Sequence, residues 1–186
     1  MEIAYFTNPG KENTAEVFRI VKERAKQLNI KKIVVPSTAG STALAAVDAF
    51  KGFQVFIVTH EAYFKDTLVN EFPEDIRQRV TAKGATVITC THAFGGLSMA
   101  MRKKFSTHVI GDIVANTLRI FGQGMKVACE VVLMATDSGY LRTDEQVISL
   151  GGSGGGVDTA IVCKPVNAQR FWELRIQEIL CKPHFV

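Results

Sequence analysis

Two rhythms of apolar residues alternate along this chain. Continuous, β-branched runs occur at Ile33-Val34-Val35, over residues 53–59 and over residues 86–91, the pattern of strands covered on both faces. Between them the apolar positions open to helical spacing, with Val17, Phe18, Val21, Ala25 and Leu28 set in a segment rich in Glu, Lys and Arg. A shorter run over residues 2–7 stops at Asn8-Pro9-Gly10 and predicts a strand followed by a turn. Asn13 with Glu16 has the capping-box spacing and predicts the start of the first helix.

The second half keeps the same alternation with longer helical stretches. A helix is predicted to begin near Ala43, and another to fill residues 73–83 and close at Gly84. Val109, Ile110, Ile113, Val114, Thr117 and Phe121 mark the apolar face of one later helix, and Val127, Val131 and Ala135 that of the next. Gly122-Gln123-Gly124 separates them. Residues 97–104 are rich in Met and basic side chains, with no clear period. Strands are predicted at 146–150 and 159–163; the tail, 167–183, fits neither period but carries enough apolar side chains to pack. Strands alternating with helices at this spacing predict one domain over residues 1–186, a three-layer α/β/α fold around a mostly parallel sheet.

Composition supports an ordinary folded domain and removes several function classes. Of the 186 residues, 47% are hydrophobic and 22% charged, which places the chain among globular proteins. The net charge of +4 is spread along the sequence, with one tight basic cluster at Arg102-Lys103-Lys104. That balance argues against nucleic acid and suits a small anionic ligand, the cluster itself reading as a solvated face. The four cysteines stand far apart, as in a reduced cytoplasmic protein without a zinc site or disulfide frame. No apolar run is long enough to span a membrane, and the first residues do not form a signal peptide, so a cytoplasmic protein is expected.

Candidate chemistry gathers at the ends of the predicted strands. Residues 151–159 read Gly151-Gly152-Ser153-Gly154-Gly155-Gly156-Val157-Asp158-Thr159, five glycines in nine positions. Such a run is costly to order, and a phosphate cradled by backbone N–H groups and the Ser153 and Thr159 hydroxyls gives it a purpose; a mobile hairpin loop is the alternative. Ser37-Thr38-Ala39-Gly40-Ser41-Thr42 lies where a strand passes into a helix, so free N–H groups and hydroxyls meet there, as an anion site or as a plain helix cap. If the strands before these two loops are neighbours where strand order reverses, both loops face one crevice. Thr59-His60 and Thr91-His92 end two further strands and are candidates to line it. Asp158 has two readings, a ligand contact or an Asx turn within its loop, and Asp137, at a helix end, is a candidate for ligand or partner contact.

From Lys32 onward the chain resembles the C-terminal domain of pyruvate kinase. Residues 37–42 are similar to its sugar-phosphate loop, though Ala39 replaces a hydroxyl, and residues 147–162 are similar to its last hairpin without the usual tryptophan, arginine and proline. Over nearly its whole length the chain resembles a small family of free-standing microbial proteins of that fold. The shared features are residues 8–14, the Ser/Thr-Gly loop, residues 135–139, Gly151-Gly152 and residues 156–160. That resemblance implies flavin mononucleotide as cofactor, with phosphate and isoalloxazine ring in the crevice. Three roles stay open: a flavoprotein, a non-catalytic sensor or carrier of a phosphorylated metabolite, and an assembly domain whose aromatic tail joins a homo-oligomer. No nucleophile–base pair stands out in the sequence, so whether the protein is an enzyme is left open.

Overall fold

The computed structural model describes residues 2–184. Strands β1 (Ala4–Phe6), β2 (Lys32–Pro36), β3 (Gln54–Val58), β4 (Thr86–Ile88), β5 (Val147–Gly151), β6 (Thr159–Lys164) and β7 (Arg175–Pro183) form one sheet in the order β1-β7-β6-β5-β2-β3-β4. Neighbours run parallel except β6, which is antiparallel to both β5 and β7. Six helices flank the sheet among the described residues: α1 (Thr14–Gln27), α2 (Ser41–Ala49), α3 (Glu74–Ala82), α4 (Leu97–Phe105), α5 (Ile110–Arg119) and α6 (Gln123–Asp137).

The strict two-residue period inside the apolar runs builds the three layers. Ile33, Val35, Val55, Ile57, Ile148 and Leu150 join the core under α1, α2 and α3. The intervening Val34, Phe56, Val58 and Val147 join a second core under α6, with Ala115 of α5. Because both faces are covered, the central strands β2, β3 and β5 are nearly all apolar where they are buried, and the one buried polar side chain there, Ser149, is satisfied: its hydroxyl donates to the Ala128 carbonyl at 2.8 Å.

Two expectations are corrected, and the form of the tail, left open by the sequence, is settled. Asn13 makes no capping box: its side chain donates to the Asn8 and Gly10 carbonyls at 2.8 and 3.3 Å, Glu16 pairs with Arg19, and a 3-10 turn (Lys11–Asn13) leads into α1. The apolar stripe of α5 meets the core only in part, since Val114 packs against it but Ile110 and Ile113 are exposed, while Gly111, Asp112 and Ala115 are buried. The tail forms a short 3-10 segment (Ala168–Glu173) and then β7, the bridge between β6 and β1.

Candidate functional site

Strand order reverses between β2 and β5. From β2 the chain steps outward through α2 and α3 to β3 and β4, then returns across the other face through α4, α5 and α6 to β5, on the opposite side of β2. β2 and β5 are paired in parallel, Ile33 with Ile148 and Val34 with Ser149, so their carboxyl ends open side by side. A cleft of about 560 Å³ lies there, lined by both loops, by the ends of β3 and β4 and by α4, α5 and α6.

The β2 loop lines this cleft with Ser37, Thr38, Ala39, Ser41 and Thr42. Ser37 is buried and its Oγ accepts from the Ala43 amide at 3.2 Å, which makes it the local cap of α2. Gly40 turns the chain into the helix at φ 90°, with Ile76 packed so closely that a side chain has no room, and it does not line the cleft. The amides of Ser41 and Thr42 have no acceptor among the described residues, and the helix dipole places partial positive charge at the same point.

Residues 151–159 divide into two parts with different work. Gly152, Gly154, Gly155 and Gly156 line the cleft, and Ser153 between them has a buried Oγ without a hydrogen-bond partner among the described residues. Gly151 belongs to β5 and lies against the first turn of α6: a Cβ there would stand 1.8 Å from the Gly124 carbonyl oxygen. Gly156 packs on Lys11 and Thr14, and the Val157 amide donates to Thr14 Oγ1 at 3.1 Å. Asp158 is fully buried. Its Oδ2 accepts from the Gly10 amide at 3.0 Å and its Oδ1 from Thr159 Oγ1 at 2.8 Å, so it forms neither expected arrangement but clamps the N-terminal turn to the loop. Gly151, Ser153, Asp158 and Thr159 therefore stand behind the cleft wall. Asp137 lies outside the cleft, where its Oδ1 accepts from the Ala168 amide at 2.9 Å.

The β3 and β4 ends contribute Thr59, His60 and His92, all on the cleft. Thr59 is buried and its hydroxyl is engaged by the His60 carbonyl at 2.7 Å and Thr89 Oγ1 at 2.8 Å. The His60 ring stands at right angles to His92 and near Phe64, with centroids 5.1 and 4.7 Å apart. Its Nδ1 meets Glu71 Oε2 at 2.7 Å, and its Nε2 meets Thr38 Oγ1 at 3.3 Å. Burial pushes the Glu71 carboxyl up, but hydrogen bonds from Lys65 and His60 outweigh it and hold the group below its ordinary range. Burial also holds the His92 imidazole below its ordinary value, against the pull of Glu130 and Glu61.

The facing wall comes from helices that sequence reasoning did not connect with the site. Glu130 of α6 is buried, pairs with Lys126 one turn earlier and accepts from the Phe94 amide at 3.0 Å. Asp112 of α5 is buried and pairs with Arg102 of α4, so that arginine belongs to the cleft and not to a solvated basic face. Arg119 is held by neutral partners, Gln123 Oε1 at 2.7 Å and Asn116 Oδ1 at 2.8 Å. The signal for these residues was present: a single carboxylate inside an apolar helical run, as in Cys129-Glu130-Val131, is costly to bury without a partner. Phe94, Met99, Val127, Val131 and Met134 supply apolar surface between the charges.

The cleft thus combines amides that have no acceptor among the described residues, hydroxyls, paired cations and a broad apolar surface, which lets it take a ligand with an anionic and an apolar part. Among the described residues no group of His, Cys, Asp and Glu is arranged to hold a metal ion, and no helix is long and apolar enough to cross a membrane. The cysteines are free, and burial pushes the thiols of Cys129 and Cys181 up to about 12, so neither is a nucleophile. Residues 15–163 match the family model for the pyruvate kinase alpha/beta domain.

Proposed function

Because the chain belongs to the pyruvate kinase alpha/beta domain family, we propose that its cleft binds a phosphate-bearing ligand, foremost flavin mononucleotide. The observation that carries this reading is the convergence of the loops after β2 and β5 on one cleft, beside paired parallel strands. The residues fit the group in both its parts. Its phosphate would be held by the Ser41 and Thr42 amides, the Thr38 and Thr42 hydroxyls and the glycine loop at Gly152 and residues 154–156. Its ring would lie on Phe94, Met99, Val127, Val131 and Met134, and a cleft of about 560 Å³ is of the size that small cofactors occupy. When bound, the flavin supplies redox chemistry, and the protein supplies position, charge and exclusion of water. Pyruvate kinase activity does not follow from this fold, since function belongs to the site and not to the scaffold.

A second reading, a sensor or carrier of a phosphorylated metabolite, is favoured by one feature. Arg119 lines the cleft without an acidic partner among the described residues and suits a second anionic group better than a flavin ring. Visible absorption of the purified protein, with and without added flavin mononucleotide, separates the two. A bound flavin spectrum and quenched flavin fluorescence support the first reading. No quenching, with a melting temperature raised by phosphosugars, supports the second.

A further inference from the structure

We propose that His60 is a phosphoryl acceptor, with Nε2 as the nucleophile and Glu71 as the residue that positions it. The inference rests on the reading that a phosphate seats against residues 37–42, and it adds a reaction to what was there a binding site. Its own basis is a three-residue relay that joins the loop after β2, through Thr38, to the loop between β3 and α3, which carries both His60 and Glu71. Glu71 Oε2 stands 2.7 Å from Nδ1 of His60, and Nε2 of the same ring stands 3.3 Å from Thr38 Oγ1. Glu71 also receives Lys65 at 2.6 Å, and those contacts keep it an anion. An anionic carboxylate at Nδ1 places the proton on that nitrogen, which leaves Nε2 unprotonated, with its lone pair toward the Thr38 hydroxyl that an incoming phosphate would draw away. Glu71 is part-buried, and a carboxylate that fixes the tautomer of a histidine is the arrangement that nucleophilic and general-base histidines need. The ring is further fixed edge-on against His92 and Phe64.

The step balances without a further reactant. The Nε2 lone pair attacks phosphorus, the Nε2–P bond forms, and the bond from phosphorus to the donor's leaving atom breaks with its electron pair going to that atom. Nδ1–H stays on the ring, where Glu71 balances the positive charge of the phosphoimidazolium form. Attack of water on the same phosphorus then returns His60 and releases inorganic phosphate. The substrate class is a phosphate ester or anhydride small enough for the cleft; His92, whose ring nitrogens meet no carboxylate among the described residues, is not the acceptor.

The full chain incubated with phosphoramidate, whose leaving group is ammonia, tests this by intact mass and fragment mapping. The expected result is the mass of one phosphoryl group on His60, acid-labile and base-stable, gained more than about tenfold faster than at the exposed His108. The label is absent in His60→Gln and kept in His108→Gln. Glu71→Gln slows labelling by more than about tenfold, as loss of a tautomer lock does, and phosphorus NMR shows the label divided between Nδ1 and Nε2, which mere loosening of the fold would not produce. Labelling of His60 no faster than His108, or labelling of His92 in its place, overturns the proposal. Inorganic phosphate is titrated in parallel against the melting temperature. Phosphate binding without a label overturns the acceptor role alone; neither binding nor label overturns the phosphate seat as well.

Discussion

Asp158 has no exposed surface and both of its oxygens are engaged within the protein, one by the Gly10 amide and one by the Thr159 hydroxyl. Its replacement by Ala leaves two buried donors unpaired, a loss of about 3 kcal/mol of stability. We expect a lowered melting temperature together with faster amide exchange at Gly10, and a flavin affinity that changes only as far as the loop loosens. Thr42 differs in kind: it lines the cleft at the first turn of α2, and Thr42→Val keeps its volume. That variant is expected to melt near the parent temperature while flavin mononucleotide binding falls about tenfold, the scale of one lost hydrogen bond to a charged group. His92 adds a pH signature. Its folded value lies below the ordinary one because burial disfavours the imidazolium. Stability from that neutral burial is therefore fully present above about pH 6.5 and is lost as pH falls through the lower folded value. His92→Gln is expected to flatten this part of the acid limb in melting temperature against pH.

At the scale of elements, the strands were legible because their apolar runs are continuous, and Ile33 and Val35 part from Val34 by alternation alone. The loops on β2 and β5 were legible for the same reason, since strand ends fix where they stand. Parts of the site were not legible where a contact joins residues distant in sequence. Glycines 124 and 151 form one close approach between α6 and β5, and nothing in the glycine run shows that its first member is a packing position. Gly151→Ala forces a methyl group onto the Gly124 carbonyl and is expected to lower stability by about 3 kcal/mol, read as a shift in the chemical denaturation midpoint. The α5 stripe misled in part, for a physical reason: helical periodicity reports that a face is apolar, not how much of it meets the core, and here Gly111, Asp112 and Ala115 take the inner side beside Val114 while Ile110 and Ile113 stay exposed. The tail was illegible because β7 pairs with β1, at the far end of the chain, and with β6 across two register shifts.

For the molecule as a whole, the reversal between β2 and β5 places the cleft, and the return path through α4, α5 and α6 gives it a charged and apolar far wall. The Lys126–Glu130 pair is part of that wall, with Glu130 buried and Lys126 largely so. Lys126→Met leaves the Glu130 carboxylate without its cation and is expected to cost about 3–5 kcal/mol, with Glu130→Gln in the same chain restoring most of the loss; calorimetric melting of the single and double variants measures it. The central claim concerns the phosphate, and a crystal structure with flavin mononucleotide soaked into the protein tests it most directly. The account predicts phosphate oxygens within hydrogen-bond distance of the Ser41 and Thr42 amides and beside residues 152–156, with the ring on Phe94, Val127 and Met134. A phosphate bound away from both loops, or a cleft that stays empty while flavin mononucleotide is in excess, would contradict it.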